Sequence, residues 1–250
     1  MDLPLFSTKG GSLIQHQGRA IYKMFDGSSF ILKSQMRQQG SENTTFISQL
    51  ERLATGHFNV DDWRQWSKQD ITKLGPEIKD QFIEEGTQLC ARKKDQTAFN
   101  AYHLRKTGNP IAKVKAINSS GAHSFSADSA QGLRNKIYLS KGAKVVLTSN
   151  IWAESKLVNG SQGTVRYIIY KDGKSSGRDL PDLVLVEFPN YVGPSFLSSH
   201  DRIVPVVPQK ATWYSKKEFS RVQYPLILSW SLTIHKAQGV FDLKGGCGAK

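Results

Sequence analysis

The sequence predicts an α/β fold with a small β-barrel inserted into it. Three observations carry that prediction. Helical patterns followed by short apolar strands recur over the first half of the chain. From Lys136 onward, short strands follow one another between turn residues. Near the end, an apolar run of strand length beginning at Tyr224-Pro225-Leu226-Ile227-Leu228 stops at Thr233-Ile234-His235-Lys236-Ala237-Gln238-Gly239. In open α/β sheets, ligands sit beyond the carboxyl ends of strands.

Taken in order, Leu13, Ala20, Ile21, Met24 and Phe25 lie near helical spacing, and Asp26-Gly27 marks a stop. Ser29-Phe30-Ile31-Leu32 reads as a short buried strand running into Gln35-Met36-Arg37-Gln38. Arg37 at a strand end can fork onto a phosphate, or simply cap a neighbouring helix at the surface. Phe46, Leu50 and Leu53 recur at helical spacing before Gly56. Asn59 is placed as the N-cap of the next helix, with Asp61 and Asp62 in its first turn, and Pro76 opens another that ends at Gly86. Trp63 and Trp66, in this acidic stretch, read as core rather than as a base-stacking platform, because carboxylates repel nucleic acid.

A second strand–helix unit follows, with Thr87–Ala91 as strand and Lys93–Arg105 as helix. Ile111–Ile117 alternates as a half-buried strand does, and residues 118–134, rich in Ser, Ala, Gly and Asn, read as a long functional or mobile loop. The strands of the barrel are expected at Ile137–Leu139, Ala143–Leu147, Gly163–Tyr170, Leu183–Phe188 and Ile203–Val207. Asn159-Gly160, Asp172-Gly173-Lys174 and Pro189-Asn190 supply turns. The basic-aromatic cluster Trp213, Tyr214, Lys216 and Lys217 suits either stacking on a single strand or packing on the barrel.

The 250 residues carry a formal net charge of +13, which favours a polyanionic partner such as nucleic acid. The charge is segregated. Residues 41–86 hold five Lys/Arg against nine Asp/Glu, whereas residues 92–156 hold twelve against three and residues 202–250 eight against two. Cys90 and Cys247 match neither a zinc site nor a redox pair; Cys90 reads as a buried thiol. No window reaches the roughly 18 apolar residues of a membrane span. The start, Met1-Asp2-Leu3-Pro4-Leu5-Phe6-Ser7, does not read as a secretory signal, so an intracellular protein is expected. There is no Gly-x-Ser-x-Gly, His-Glu-x-x-His or paired-cysteine spacing, and Lys244–Lys250 fails the spacing of a phosphate loop. At Thr233–Gly239, short donors beside one cation suit an oxygen-rich anion such as a phosphate backbone. A buried strand followed by an ordinary polar turn has the same spacing.

Pro225–Gly239 resembles motif V of the PIF-type DNA helicases, the superfamily-one helicases related to RecD. Gln35–Gln38 resembles their motif IV, and Leu89–Asp95 with Asn100 downstream resembles the strand–helix block that follows it. Lys141–Asn150 and Leu157–Val165 resemble the entry to their inserted barrel. The resemblance covers most of residues 12–239 and concerns the C-terminal part of these helicases.

It implies a second RecA-like domain, 2A, over residues 1–148 and 223–250, with a Src-homology-3-like barrel, 2B, inserted at 149–222. It also implies that Arg37 reaches the γ-phosphate of ATP, that Thr233, His235 and Lys236 meet the phosphates of single-stranded DNA, and that Gln238 and Gly239 link this contact to the nucleotide cleft. ATP and Mg²⁺ are the implied cofactors, and single-stranded DNA and a first RecA-like domain the implied partners. The family's phosphate loop and Mg-binding acidic motif have no counterpart in these residues; Asp2–Leu5 is at most a remnant of motif III, and the chain after Gly239 departs from the path to motif VI. The expectation is therefore a fragment of an ATP-dependent 5′-to-3′ helicase of DNA repair or recombination, nuclear or mitochondrial if eukaryotic. The alternative is a non-enzymatic nucleic-acid-binding remnant of a transposon-related helicase.

Overall fold

A computed structural model describes residues 13–25, 27, 28, 30, 43–198 and 200–237. These fall into two compact units, Met1–Pro76 and Glu77–Lys250. Of the buried strand expected at Ser29–Leu32 only Phe30 is described, and it is 94% exposed and belongs to no strand; Arg37 with its block, Asp2–Leu5, Gln238, Gly239 and Cys247 lie outside the described residues.

In the first unit, α1 (Leu13–Lys23), α2 (Thr44–Ala54) and α3 (Val60–Ser67) occupy the expected stretches. Asn59 caps α3 in a reciprocal box: its Oδ1 accepts from the Asp62 N–H at 2.9 Å, and Asp62 Oδ2 accepts from the Asn59 N–H at 3.3 Å. Buried Asp62 also takes a forked contact from Arg52 of α2. That contact holds the Asp62 carboxyl below the usual carboxylate range, against the opposing effect of burial. Trp66 packs edge-on against Phe58 at 4.9 Å and donates its indole N–H to Gln49 Oε1 at 2.8 Å. Trp63, expected beside it in the core, is 63% exposed.

In the second unit, α4 (Pro76–Glu85) leads through Gly86 into β1 (Gln88–Cys90) and α5 (Lys93–Lys106). The run at Tyr224–Thr233, one strand by its apolar character, is two strands in two sheets: β11 (Leu226–Leu228) and β12 (Ser231–Thr233), followed by α6 (Ile234–Ala237). β12 lies parallel to β1, with Cys90 opposite Thr233. α5 holds β12 by its backbone. Asn100 Nδ2 donates to the Ser231 carbonyl at 2.8 Å, and Asn100 Oδ1 accepts from the Ser231 N–H at 2.9 Å. The Cys90 thiol is buried, 3.1 Å from the Ser231 hydroxyl. The parallel pairing of β1 with β12, with α5 packed on it, has the α/β character the alternation predicts.

The later strands, β5 (Lys144–Leu147), β6 (Gln162–Ile169), β7 (Leu183–Glu187) and β8 (Ile203–Val206), form an antiparallel sheet ordered β11-β5-β6-β7-β8. The stretch expected as one strand at Ile111–Ile117 divides at Ala116. β2 (Ala112–Lys115) pairs with β4 (Lys136–Leu139), while β3 (Ile117–Asn118) pairs with β10 (Lys217–Gln223), which also pairs with β9 (Gln209–Ser215). Among the described residues these sheets close no barrel. The main core lies between them, built on Leu139, Val145, Leu147, Val186, Leu226 and Trp230. Val146 and Ile227 face the other way and meet Leu232, tying the antiparallel sheet to β12.

Gly163 is required where β6 crosses β7. A Cβ there would stand 2.7 Å from Val186 Cγ1 and 2.8 Å from the Glu187 carbonyl oxygen. The β9–β10 hairpin turns at Lys216, which adopts φ +64°. With no Gly, Asn or Asp at that position, the sequence offers no hairpin signal. Trp213 of this hairpin is core: it stacks on Phe219 at 6.0 Å and meets Phe125 edge-on at 5.6 Å, while Tyr214 is 79% exposed.

Candidate nucleic-acid interface

The end of β12 opens into a cleft of about 310 Å³. Thr233 and Lys236 line one side, from the strand end and the first turn of α6. Lys93, Gln96 and Thr97 of α5 line another. The third wall is the loop after β3, through Ser126, Asp128, Gly132 and Arg134, with Thr148 and Ile227 at the base. Of the residues expected to meet DNA phosphates, the fold thus brings Thr233 and Lys236 together. His235 is exposed and does not line the cleft, and Arg37, Gln238 and Gly239 lie outside the described residues.

Lys93, Arg134 and Thr148 did not enter the sequence-based site. The only signal for the two cations was the excess of twelve Lys/Arg over three Asp/Glu in residues 92–156, which does not say which of the twelve converge. None of the five ion pairs found among the described residues uses Lys93, Arg134 or Lys236. Partial desolvation lowers the Arg134 pKa from its ordinary value, an effect the Asp128 carboxylate opposes; an arginine nonetheless stays charged. The Thr148 Oγ1 is buried with no hydrogen-bond partner, and Gly132, at φ +87°, lies over it without a side chain.

The loop wall is set by Arg221 of β10, which is fully buried. Its guanidinium donates to the carbonyls of Ala122 at 2.8 Å, Phe125 at 3.0 Å and Leu133 at 2.8 Å, and to Asn118 Oδ1 at 2.8 Å. Arg221 also lies over the Trp213 ring, 5.6 Å from its centroid. Burial, with no ion pair to a carboxylate among the described residues, lowers its pKa from the ordinary value. Residues 118–134, expected to be a functional or mobile loop, are thus gathered around one cation by their own carbonyls. A cleft with three cations, hydroxyls and one carboxylate has the chemistry that suits an oxyanion such as a phosphate.

The fold and this cleft define the class as α/β with an attached antiparallel sheet. Sequence and backbone comparisons then agree on the particular relatives. The chain is 28% identical over 196 residues to the ATP-dependent DNA helicase PIF1 of Rattus norvegicus, covering 78% of this chain and 28% of that protein. It is 28% identical over 211 residues to the protein of the same name from Xenopus laevis, covering 83% and 29%. The crystal structure of Pif1 helicase from Candida albicans superposes with a TM-score of 0.55 at 24% identity, covering 82% of this chain and 47% of that one. A double mutant of Bacteroides Pif1 gives 0.57 at 22%, covering 83% and 42%, and Bacteroides Pif1 bound to single-stranded DNA gives 0.51 at 21%, covering 82% and 42%. No protein-family profile matches the chain. The motif resemblance to the C-terminal part of PIF-type helicases is therefore matched by similarity along most of the chain, and the fold is theirs. The chain spans less than a third of the length of these PIF1 proteins. No helix among the described residues is long and apolar enough to cross a membrane.

Proposed function

We propose that this chain is the strand-binding RecA-like part of an ATP-dependent, 5′-to-3′ DNA helicase of the PIF1 type, and that its cleft grips the phosphates of single-stranded DNA. The observation that carries this reading is the convergence of Thr233, Lys236, Lys93 and Arg134 on one cleft at a strand end, with none of the three cations in an ion pair found among the described residues. His235 would meet the strand outside the cleft. In this reading residues 1–148 and 223–250 form domain 2A, and residues 149–222 the Src-homology-3-like insertion 2B. Arg37 faces the γ-phosphate of Mg²⁺-bound ATP supplied on a first RecA-like domain, where an arginine stabilises charge on the transferring phosphoryl group. Gln238 and Gly239, directly after the α6 turn that carries Lys236, link strand contact to the nucleotide cleft. Opening and closing of that cleft then shifts the grip on DNA.

Fluorescence anisotropy with a labelled oligo-dT at several salt concentrations tests the grip. The protein is expected to bind with a steep salt dependence, and Lys236→Ala to weaken binding and reduce the log–log salt slope by about one. Failure to bind at low salt would overturn the reading. Binding without DNA-stimulated ATPase, in the presence of the longer relatives' first RecA-like domain, would favour the non-enzymatic remnant instead.

A further inference from the structure

A second groove, of about 380 Å³, adjoins the first along α5. The two share Gln96, Thr97, Arg134 and Ile227, so their walls are continuous. The second has an apolar lining that includes Ile111, Leu139 and Leu228, and a basic rim of Arg105, Arg134 and Lys136. Among the described residues, no carboxylate lines it. Tyr138, 40% exposed, presents its ring at the edge, and the Lys136 ammonium lies 5.6 Å from the centroid of that ring. Arg105 and Lys136 take part in none of the ion pairs found among the described residues.

We infer that a single nucleic-acid strand held at Thr233 and Lys236 continues past Arg134 into this second groove, with its bases against the apolar lining and Tyr138 and its phosphates against Arg105 and Lys136. The inference rests on the proposed strand-binding function and extends it to a site of different character. The alternation of apolar lining and cationic rim matches a strand, whose bases and phosphates alternate in the same way. The occupant is a polyanion because the rim is basic, no carboxylate opposes it, and the groove is continuous with the phosphate cleft. The amides at the junction are already engaged: Asn100 bonds both backbone groups of Ser231, and Gln96 Nε2 donates to the Ser231 carbonyl at 3.2 Å. Little is left to read base edges, so the groove accepts any base sequence.

The test compares oligo-dT of four nucleotides, too short to leave the first cleft, with oligo-dT of sixteen. Wild-type protein, Lys236→Ala and the double variant Arg105→Gln/Lys136→Gln are titrated at several salt concentrations, with thermal unfolding checking that the exposed substitutions leave the fold intact. The double variant is expected to bind the short strand as wild type does. On the long strand it should lose about tenfold in affinity and about two in salt slope. The single variants Arg105→Gln and Lys136→Gln should each lose about one in slope. If the double variant matches wild type on the long strand while Lys236→Ala weakens both lengths, the second groove is not a strand site and the first stands. If wild type binds neither strand, both readings fall.

Discussion

Arg221 shows how much one side chain can organise. It is fully buried, and its donors are satisfied by backbone carbonyls of residues 122–133 and by Asn118 rather than by an acid. Arg221→Met would keep most of the volume and strand several carbonyls without donors, each such loss being worth about 1–3 kcal/mol. The expected outcome is a loss of roughly 3 kcal/mol or more in chemical denaturation. It should also bring new proteolytic cleavage between Ala122 and Leu133 in the native state, and weaker strand binding, because Ser126–Arg134 form a wall of the cleft. An unchanged digestion pattern would show that the loop holds its shape without the arginine. Thr148 is the opposite case, a buried hydroxyl with no partner at the base of the same cleft.

At the scale of elements, the decisive device is the step from β11 to β12. Ser229 and Trp230 carry the chain from an antiparallel sheet to a parallel pair, and Asn100 of α5 fastens the arriving strand at both Ser231 backbone groups. The cleft exists because the antiparallel sheet and the parallel pair meet there, sharing the cluster Val146, Ile227 and Leu232. The β6–β7 pairing braces the same sheet, with Gly163 as its tightest point. Gly163→Ala would press a methyl group against the Glu187 carbonyl and Val186, and overpacking of this kind costs about 1–3 kcal/mol. Thermal unfolding is expected to show that loss, with strand binding by the remaining folded protein close to wild type, since Gly163 lines neither groove. A wild-type melting temperature would mean that the strands part without cost.

Across the whole molecule, charge is segregated along the chain, although its boundary is not that of the two units, since α4 of the second unit carries acids too. The acidic stretch 41–86 covers α2 and α3, whose interactions are internal locks such as Arg52–Asp62, while the basic stretch 92–156 surrounds the cleft. Hydrogen exchange with and without oligo-dT should therefore slow at Lys93–Lys106, at residues 126–139 and at 231–237, and stay unchanged at Thr44–Ser67. Protection of α2 and α3 instead of α5 would place the strand on the wrong unit.

Much of this was legible in the residues. The Asn59 cap, the Pro76 start, the helix from Lys93 and the strands at Ala143–Leu147 and Leu183–Phe188 follow from periodicity, capping and turn chemistry, which act between near neighbours. Thr233 and Lys236 were legible because they sit in one short motif. The division of Ile111–Ile117 at Ala116, the hairpin at Lys216 and the exposure of Trp63 were not, since each depends on which distant partner a segment meets. By itself, then, the sequence determined the local elements, the segregated charge and the motif that ends β12. Only the tertiary structure decided that Lys93, Arg134 and Thr148 join Thr233 and Lys236 in one cleft. Strand pairing and the packing of α5 on Ser231 bring together residues far apart along the chain, and that choice is made by burial and hydrogen bonding summed over the whole fold rather than by any local pattern.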